Sequence, residues 1–465
     1  MLHSAIISTL GPSSSSPEVI KGLALAGSRV FRLNFSHGSH DFHKKCAASI
    51  REVESDIECT LGIIMDLQGP KLRIGRFDDG KVSLVSGCKF ILDLNPDVGN
   101  STRVNLPHPE IFNVISGGAH IFLDDGKIKL KVLENDGDTI ETEVIEGGIL
   151  SNRKGVNVPD VVLPISALTE KDKTDIRILH DITADWVAIS FVQSAEDIMY
   201  ARSFIDSDVG IIAKIEKPVG VQKLDSILEV SDAVMVARGD LGIEMPFESI
   251  PAIQTRIISM ARDHSKPVIV ATQMLESMLN CHIPTRAEVT DVAFAVGCKA
   301  DAVMLSAETA AGNYPVDAVK IMAKIVRKTE DDGLSFIEVG DNISAMSRAV
   351  KAAVEKEGIK FVVTFTETGR TAIEISNSRL NARIIALTPD LNTMRRLSLV
   401  WGVTSIMIDE IFSFSQMRQV AQEVLFKHFD GVKGDKIALV AGIPFRSSGE
   451  TNVLHIFELT CDSIS

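Results

Sequence analysis

Eight short, nearly continuous apolar runs mark the chain before residue 306: Ala5–Leu10, Val30–Leu33, Gly62–Met65, Trp186–Ile189, Gly210–Ile215, Ala233–Val236, Pro267–Ala271 and Ala302–Leu305. Runs of this length, bounded by polar residues, suit parallel strands buried on both faces. Helical spacing and charge occupy Thr169–Leu179, Ala195–Ile205, Gly220–Leu228, Ile250–His264 and Pro284–Val296, between the later runs. Alternating strands and helices predict an α/β architecture, and eight strands fit a (β/α)8 TIM barrel.

The pattern changes twice. From about Ile74 to Val158 the chain carries the turn signals Asp78-Asp79-Gly80, Asp124-Asp125-Gly126 and Asn135-Asp136-Gly137-Asp138. Short β-branched stretches (Val82–Val85, Ile121–Leu123, Ile128–Val132, Thr139–Val144) lie between them. Such turns mark hairpins and predict a small β-barrel domain, residues 71–158, inserted into a barrel built from 1–70 and 159–332. Beyond Asp331 a helix over Ile343–Lys356 precedes strands at Phe361–Thr366, Arg383–Leu387, Ser405–Ile408, Lys436–Val440 and Val453–Leu459. This predicts a C-terminal α/β domain over 333–465.

The residues that close the apolar runs carry the chemistry. Thr9 lies in the first run; Arg32, Asn34 and Ser36 end the second; Asp66 and Ser190 follow the third and fourth. Lys214 and Glu216, Arg238 and Asp240, Thr272 and Gln273, then Ser306 and Glu308 end the remaining four. In a barrel those C-terminal ends share the face that holds catalytic groups. Lys214 and Glu216 are two apart on a strand and share a side. With Asp240 they offer two hard carboxylate ligands for Mg2+ or Mn2+ beside a fixed ammonium. That set suits a phosphorylated or enolate-forming substrate. Arg32, in Arg32-Leu33-Asn34-Phe35-Ser36-His37-Gly38, supplies a guanidinium fork for a phosphoryl group. His37, His40 and His43 lack the spacing of a helical ligand pair and read as a loop or helix start.

Composition narrows the field. With 48 Lys and Arg against 62 Asp and Glu, the net charge of −14 argues against a nucleic-acid partner but allows a locally positive cleft. The six cysteines form no CxxC pair, which fits reduced thiols and a cytoplasmic location. Neither a signal peptide nor a membrane-spanning run is expected. The chain has no GxxxxGK[ST] P-loop and no GxGxxG fingerprint, so nucleotide chemistry would need another scaffold.

These segments together resemble the pyruvate kinase family over nearly the whole chain. The resemblance rests on Ile7–Pro12, Arg32–Gly38, Lys154-Gly155-Val156-Asn157, Lys214-Ile215-Glu216-Lys217, Val236–Gly242 (VARGDLG), Ala271–Met278 (ATQMLESM), Pro284–Glu288 and Met304–Thr309. It implies transfer of a phosphoryl group from phosphoenolpyruvate to ADP, giving pyruvate and ATP in the last step of glycolysis. By resemblance, Lys214 stabilises the moving phosphoryl group and the enolate, and Arg32 grips the phosphoryl group. Glu216 and Asp240 hold the Mg2+ (or Mn2+), amides near Gly239 hold the substrate carboxylate, and Thr272 lines the protonation face. Arg73 and Lys154 meet the ADP phosphates, with Pro12, Asn34 and His37 near the nucleotide. A homotetramer is expected on the same ground.

One stretch departs from the family. Where relatives commonly read DTKGPEIR, this chain has Asp66-Leu67-Gln68-Gly69-Pro70-Lys71-Leu72-Arg73. Asn34, Ser36 and Asp66 remain from the family's K+ site, but Leu67 offers no side-chain oxygen. An ammonium at Lys71 replaces an acid, so K+-independent activity is expected. Lys217, Phe294 and Ala307 stand where relatives often have Asn, Asn and Gly. The turn Thr366-Glu367-Thr368-Gly369-Arg370-Thr371 resembles the family's phosphate-binding effector loop, with Gly442–Gly449 as an opposite wall, and suggests a sugar-phosphate or nucleotide effector. The rival readings are a lyase or aldolase on a related barrel and a non-catalytic binding protein.

Overall fold

The computed structural model describes residues 2–337, 344–443 and 451–460. Eight parallel strands close into a ring: Ala5–Leu10, Ser28–Asn34, Gly62–Asp66, Trp186–Ile189, Gly210–Ile215, Ala233–Ala237, Val268–Ala271 and Ala302–Leu305, each beside its chain neighbours and the last beside the first. All eight apolar runs become these strands because both of their faces are covered. One face packs outward against helices through residues such as Ile6, Phe31, Ile63, Val187 and Ile211. The other fills the lumen with Ile7, Val30, Ile64, Ala188, Ile212, Met235, Ile269 and Met304. Side chains alternate along a strand, so the next lumen-facing positions toward the C-terminal ends are Thr9, Arg32, Asp66, Ser190 and Lys214. Strand parity alone thus aims these polar groups into one mouth.

Between the third and fourth strands lies the insert. Its six-stranded sheet runs in the order Val156–Asn157, His120–Leu123, Ile128–Asn135, Thr139–Glu146, Lys89–Asp93, Arg103–Asn105. A separate antiparallel ribbon pairs Lys81–Leu84 with Gly148–Ser151. Among the described residues only the large barrel closes into a ring. Phe90, Leu92, Ile121, Leu130 and Ile140 form the insert's own core. Two positive-φ aspartates, Asp124 and Asp125, and Gly126 make the tight turn between His120–Leu123 and Ile128–Asn135.

The C-terminal sheet has the order Val403–Met407, Arg383–Thr388, Phe361–Phe365, Lys436–Ala441, Val453–Glu458, parallel except for its last strand. The helix expected from Ile343 begins, among described residues, at Ala345; residue 343 itself lies outside them. The segment expected as one helix over Gly220–Leu228 is two, Pro218–Gln222 and Leu224–Val230, broken at Lys223.

This sheet's layer docks on the barrel's N-terminal floor. Arg379 pairs with Asp301 at 3.1 Å, both side chains buried, and the Trp401 amide donates to the same aspartate. Asn377 Nδ2 donates to the Arg262 carbonyl at 2.6 Å. Arg395 pairs with Glu54, Glu54 with Arg51, and Arg51 with Asp185. No helix among the described residues is long and apolar enough to cross a membrane.

Candidate active site

The barrel mouth is organised by one buried acid. Asp66, at the end of its strand, accepts from Arg32 Nε at 2.5 Å and stands 3.2 Å from Lys214 Nζ. Burial raises the Asp66 pKa, but the two cations more than offset it, so the carboxyl titrates below its usual range. Arg32 also donates to Thr9 Oγ1 at 3.1 Å. Lys214 donates to Ser190 Oγ at 2.7 Å and meets Glu216 Oε1 at 3.0 Å. Burial disfavours its charge, yet Asp66 and Glu216 raise its pKa above the ordinary lysine value, so the ammonium is permanent.

Glu216 is nearly enclosed. Its second oxygen accepts the Phe191 amide at 2.8 Å, from a residue with φ +57°. Burial pushes the Glu216 carboxyl up to about 7; Lys214 opposes this and the nearby Asp240 charge adds to it. Asp240 sits in the first turn of Arg238–Glu244, the helix that follows the sixth strand. The donor set fits a hard dication: two oxygen ligands from neighbouring strand ends, one of which feels the other's charge. Among the described residues no group of three or more His, Cys, Asp or Glu could hold a metal by itself. That suits Mg2+, which commonly takes one or two carboxylates and completes its shell with substrate oxygens and water.

Thr272 lies beside them. Its Oγ1 accepts the Gly239 amide at 2.7 Å and donates to the Ala271 carbonyl at 2.6 Å. Thr272 and Gln273 both have positive φ, +69° and +53°, a costly backbone for such residues. Arg238 holds that backbone by donating to the Thr272 and Gln273 carbonyls, while its other Nη meets Asp291 at 2.6 Å. The Gly239 amide, expected to serve a substrate carboxylate, is therefore engaged by Thr272 here.

The expected nucleotide residues lie on two bodies. Pro12 and His37 are exposed on barrel loops, and Asn34 Oδ1 caps its own turn at the Ser36 amide. Arg73 and Lys154 belong to the insert: Arg73 donates to the Arg153 carbonyl, and Lys154 pairs with Asp124 at 2.7 Å. The bond to Asp124 raises the Lys154 pKa. Lys71 is exposed and lines two cavities. One is shared with Asp240, Asn157, Lys217 and Glu244; the other, about 460 Å³, is shared with Arg73, Arg76, Arg153 and His108. Gly69, with φ +66°, lets the outgoing chain pass against Ser190, where a Cβ would come within 2.8 Å.

Thr9 and Ser190, named from sequence only as strand-end groups without a role, bond Arg32 and Lys214; the Phe191 amide and Lys171 were not singled out at all. Lys171 Nζ donates to the Phe35 carbonyl at 2.7 Å and pairs with Asp175, which also binds His40. It brings an ammonium to the Asn34–Ser36 loop from over 130 residues away. His40 begins a helix as expected, whereas His43 is buried, stacked on Phe35 and bonded to the His37 carbonyl.

Beyond the strand Phe361–Phe365, Thr366 Oγ1 accepts the Gly369 amide, Arg370 pairs with Glu374, and Thr371 bonds Thr451, just ahead of the last strand. Thr368 lines a cleft of about 500 Å³ against the barrel floor. Most of the expected opposite wall, residues 444–449, lies outside the described residues.

Comparison with known proteins gives consistent matches. The family model described as the pyruvate kinase barrel domain matches residues 1–319. The model of the pyruvate kinase alpha/beta domain matches residues 344–457. A pyruvate kinase of Methylorubrum extorquens is 43% identical over 98% of this chain and 97% of its own. Pyruvate kinase 2 of Synechocystis is 40% identical over 97% of this chain and 78% of its own. The crystal structure of a pyruvate kinase from Cryptosporidium parvum superposes with a TM-score of 0.92 at 32% identity, covering 99% of this chain and 96% of that one.

Proposed function

Because this chain belongs to the pyruvate kinase family of phosphotransferases, we propose that its barrel mouth moves the phosphoryl group of phosphoenolpyruvate to ADP and protonates the enolate left behind. The observation that carries this reading is the unbroken run of charges Arg32–Asp66–Lys214–Glu216 on the lumen face. The bond from phosphorus to the enol oxygen breaks as a β-phosphate oxygen of ADP bonds phosphorus. The enolate carbon then takes a proton, giving pyruvate and ATP.

Each side chain has a place in that exchange. Arg32 grips the phosphoryl oxygens, and Lys214 offsets charge first on the phosphoryl group and then on the enolate oxygen. Glu216 and Asp240 would hold Mg2+ (or Mn2+), which would supply positive charge to offset the negative charge of the bound substrate. Thr272 orients the proton donor, a water, over the enolate face, and releases the Gly239 amide to the substrate carboxylate. Arg73 and Lys154 meet the ADP phosphates, with Pro12, Asn34 and His37 at the nucleotide. The insert, residues 71–158, closes over the mouth as a lid between barrel segments 1–70 and 159–332, with 333–465 as the regulatory unit.

Turnover proceeds without K+, on this reading. Leu67 cannot complete an oxygen cage with Asn34, Ser36 and Asp66, and Lys71 opens on the same chamber as Asp240. Its tethered ammonium replaces the ion's charge. The turn Thr366–Thr371, with Thr368, Gly369 and Arg370, binds a phosphorylated effector. The homotetramer rests on family membership, and the cytoplasmic setting on that membership together with the scattered cysteines, unpaired among the described residues. A coupled assay of ATP formation from phosphoenolpyruvate and ADP, with and without Mg2+ and K+, tests the core of this proposal. Absence of ATP would refute the reaction, and strong activation by K+ would refute the Lys71 role alone.

A further inference from the structure

Lys217 has no part in the chemistry above, yet it is only 7% exposed and lines the chamber that holds Asp240. Its Nζ stands 3.0 and 3.3 Å from the two oxygens of Glu244. Glu244 Oε1 also accepts from Asn157 Nδ2 at 3.0 Å. Three elements therefore meet on one buried carboxylate: the turn after Gly210–Ile215, the helix Arg238–Glu244, and Val156–Asn157, by which the chain leaves the insert. A buried ion pair persists only where the geometry is good and the remaining hydrogen-bonding capacity is used. Asn157 uses some of that capacity here.

Two physical consequences follow from the placement. Glu244 lies one helical turn beyond Asp240, so a restraint on Glu244 fixes the rotation of the helix that presents Asp240. Lys217 also neutralises Glu244, leaving Glu216 and Asp240 as the carboxylates open to a dication. An amide side chain at position 217 would supply no such charge. We infer that Lys217 is a positioning residue: through Glu244 it clasps the exit strand of the insert to the helix that carries Asp240, and so sets where the lid closes over the nucleotide. This rests on reading the insert as a lid.

The clasp is tested by removing both charges at once, since Lys217→Met alone would leave Glu244 buried and unpaired. In Lys217→Met/Glu244→Gln the KM for ADP rises about tenfold while that for phosphoenolpyruvate stays within about twofold. The protection from hydrogen exchange that Mg2+, phosphoenolpyruvate and ADP together confer on residues 155–157 is lost in the same variant. Lys217→Arg, which keeps the charge, retains both properties. Equal rises in both KM values, or a fall in kcat with protection intact, would mark the pair as merely structural and overturn the clasp. A wild-type response surviving in the double variant overturns the clasp alone. A wild-type protein showing no ligand-dependent protection overturns the lid reading and the clasp with it.

Discussion

Asp66 Oδ2 accepts the Nε–H of Arg32 at 2.5 Å, side chain to side chain, across adjacent barrel strands. In the role proposed for Arg32, that bond, with the one from Nη1 to Thr9, orients the guanidinium plane toward a phosphoryl group. Asp66→Asn keeps the shape but removes the charge that also faces Lys214. It lowers kcat/KM for phosphoenolpyruvate about a hundredfold, as expected for losing preorganised charge. Steady-state kinetics beside a melting curve check this; unchanged kinetics would mean that Asp66 is only a structural acid.

On the proposed assignment of Glu216 as a metal ligand, metal binding is pH-dependent. Without metal its carboxyl stays protonated up to about pH 7, because burial and Asp240 outweigh Lys214. A dication must displace that proton, so the apparent Kd for Mn2+ rises as pH falls below about 7, approaching tenfold per unit. Water-proton relaxation with Mn2+ across that range measures it. In Glu216→Gln binding is weaker and this pH dependence disappears.

Thr272 is held at φ +69° with its hydroxyl between Gly239 and Ala271. Thr272→Val removes the hydroxyl and lowers kcat about a hundredfold, within the span of general acid–base effects. Thr272→Ser recovers most of it. The decisive readout is deuterium exchange into pyruvate, which slows in Thr272→Val more than phosphoryl transfer does.

The proposed role of Lys71 in place of a monovalent ion is open to direct test. Lys71→Met loses about tenfold in K+-free turnover, the loss expected for one tethered charge near the reacting groups. Leu67→Thr with Lys71→Glu makes turnover respond to K+. Titrating K+ against each variant decides the matter, and an indifferent double variant would show that the charge comes from elsewhere, for instance from Lys171, whose Nζ donates to the Phe35 carbonyl.

Arg379 and Asp301, paired and buried at the barrel floor, set the stability of the joint with the C-terminal sheet. Asp301→Asn removes the acid partner of Arg379, leaving its bonds to the Ser376 and Lys299 carbonyls, and costs about 3 kcal/mol, the low end of the penalty for half of a buried ion pair. Denaturant unfolding measures it. The cost is absent if Arg379 finds water.

The barrel was legible because burial on both faces writes strands such as Ala302–Leu305 as unmixed apolar runs. The insert was less so. Lys89–Asp93, Arg103–Asn105, Gly148–Ser151 and Val156–Asn157 were not anticipated, being short and largely charged or alternating. Lys214, Glu216 and Asp66 could be found because strand parity and strand ends are sequence properties. The Phe191 amide could not, since a main-chain donor leaves no mark in composition. Lys171 could not either, because its partner loop is remote in the chain.

Asp185 and Ser190 flank the four-residue strand Trp186–Ile189, a span of about 13 Å at ordinary strand rise. Below it runs the ladder Arg395–Glu54–Arg51–Asp185, and above it Ser190 touches Lys214. The C-terminal unit and the Lys214 ammonium thus make their contacts at opposite ends of one short, fully buried strand.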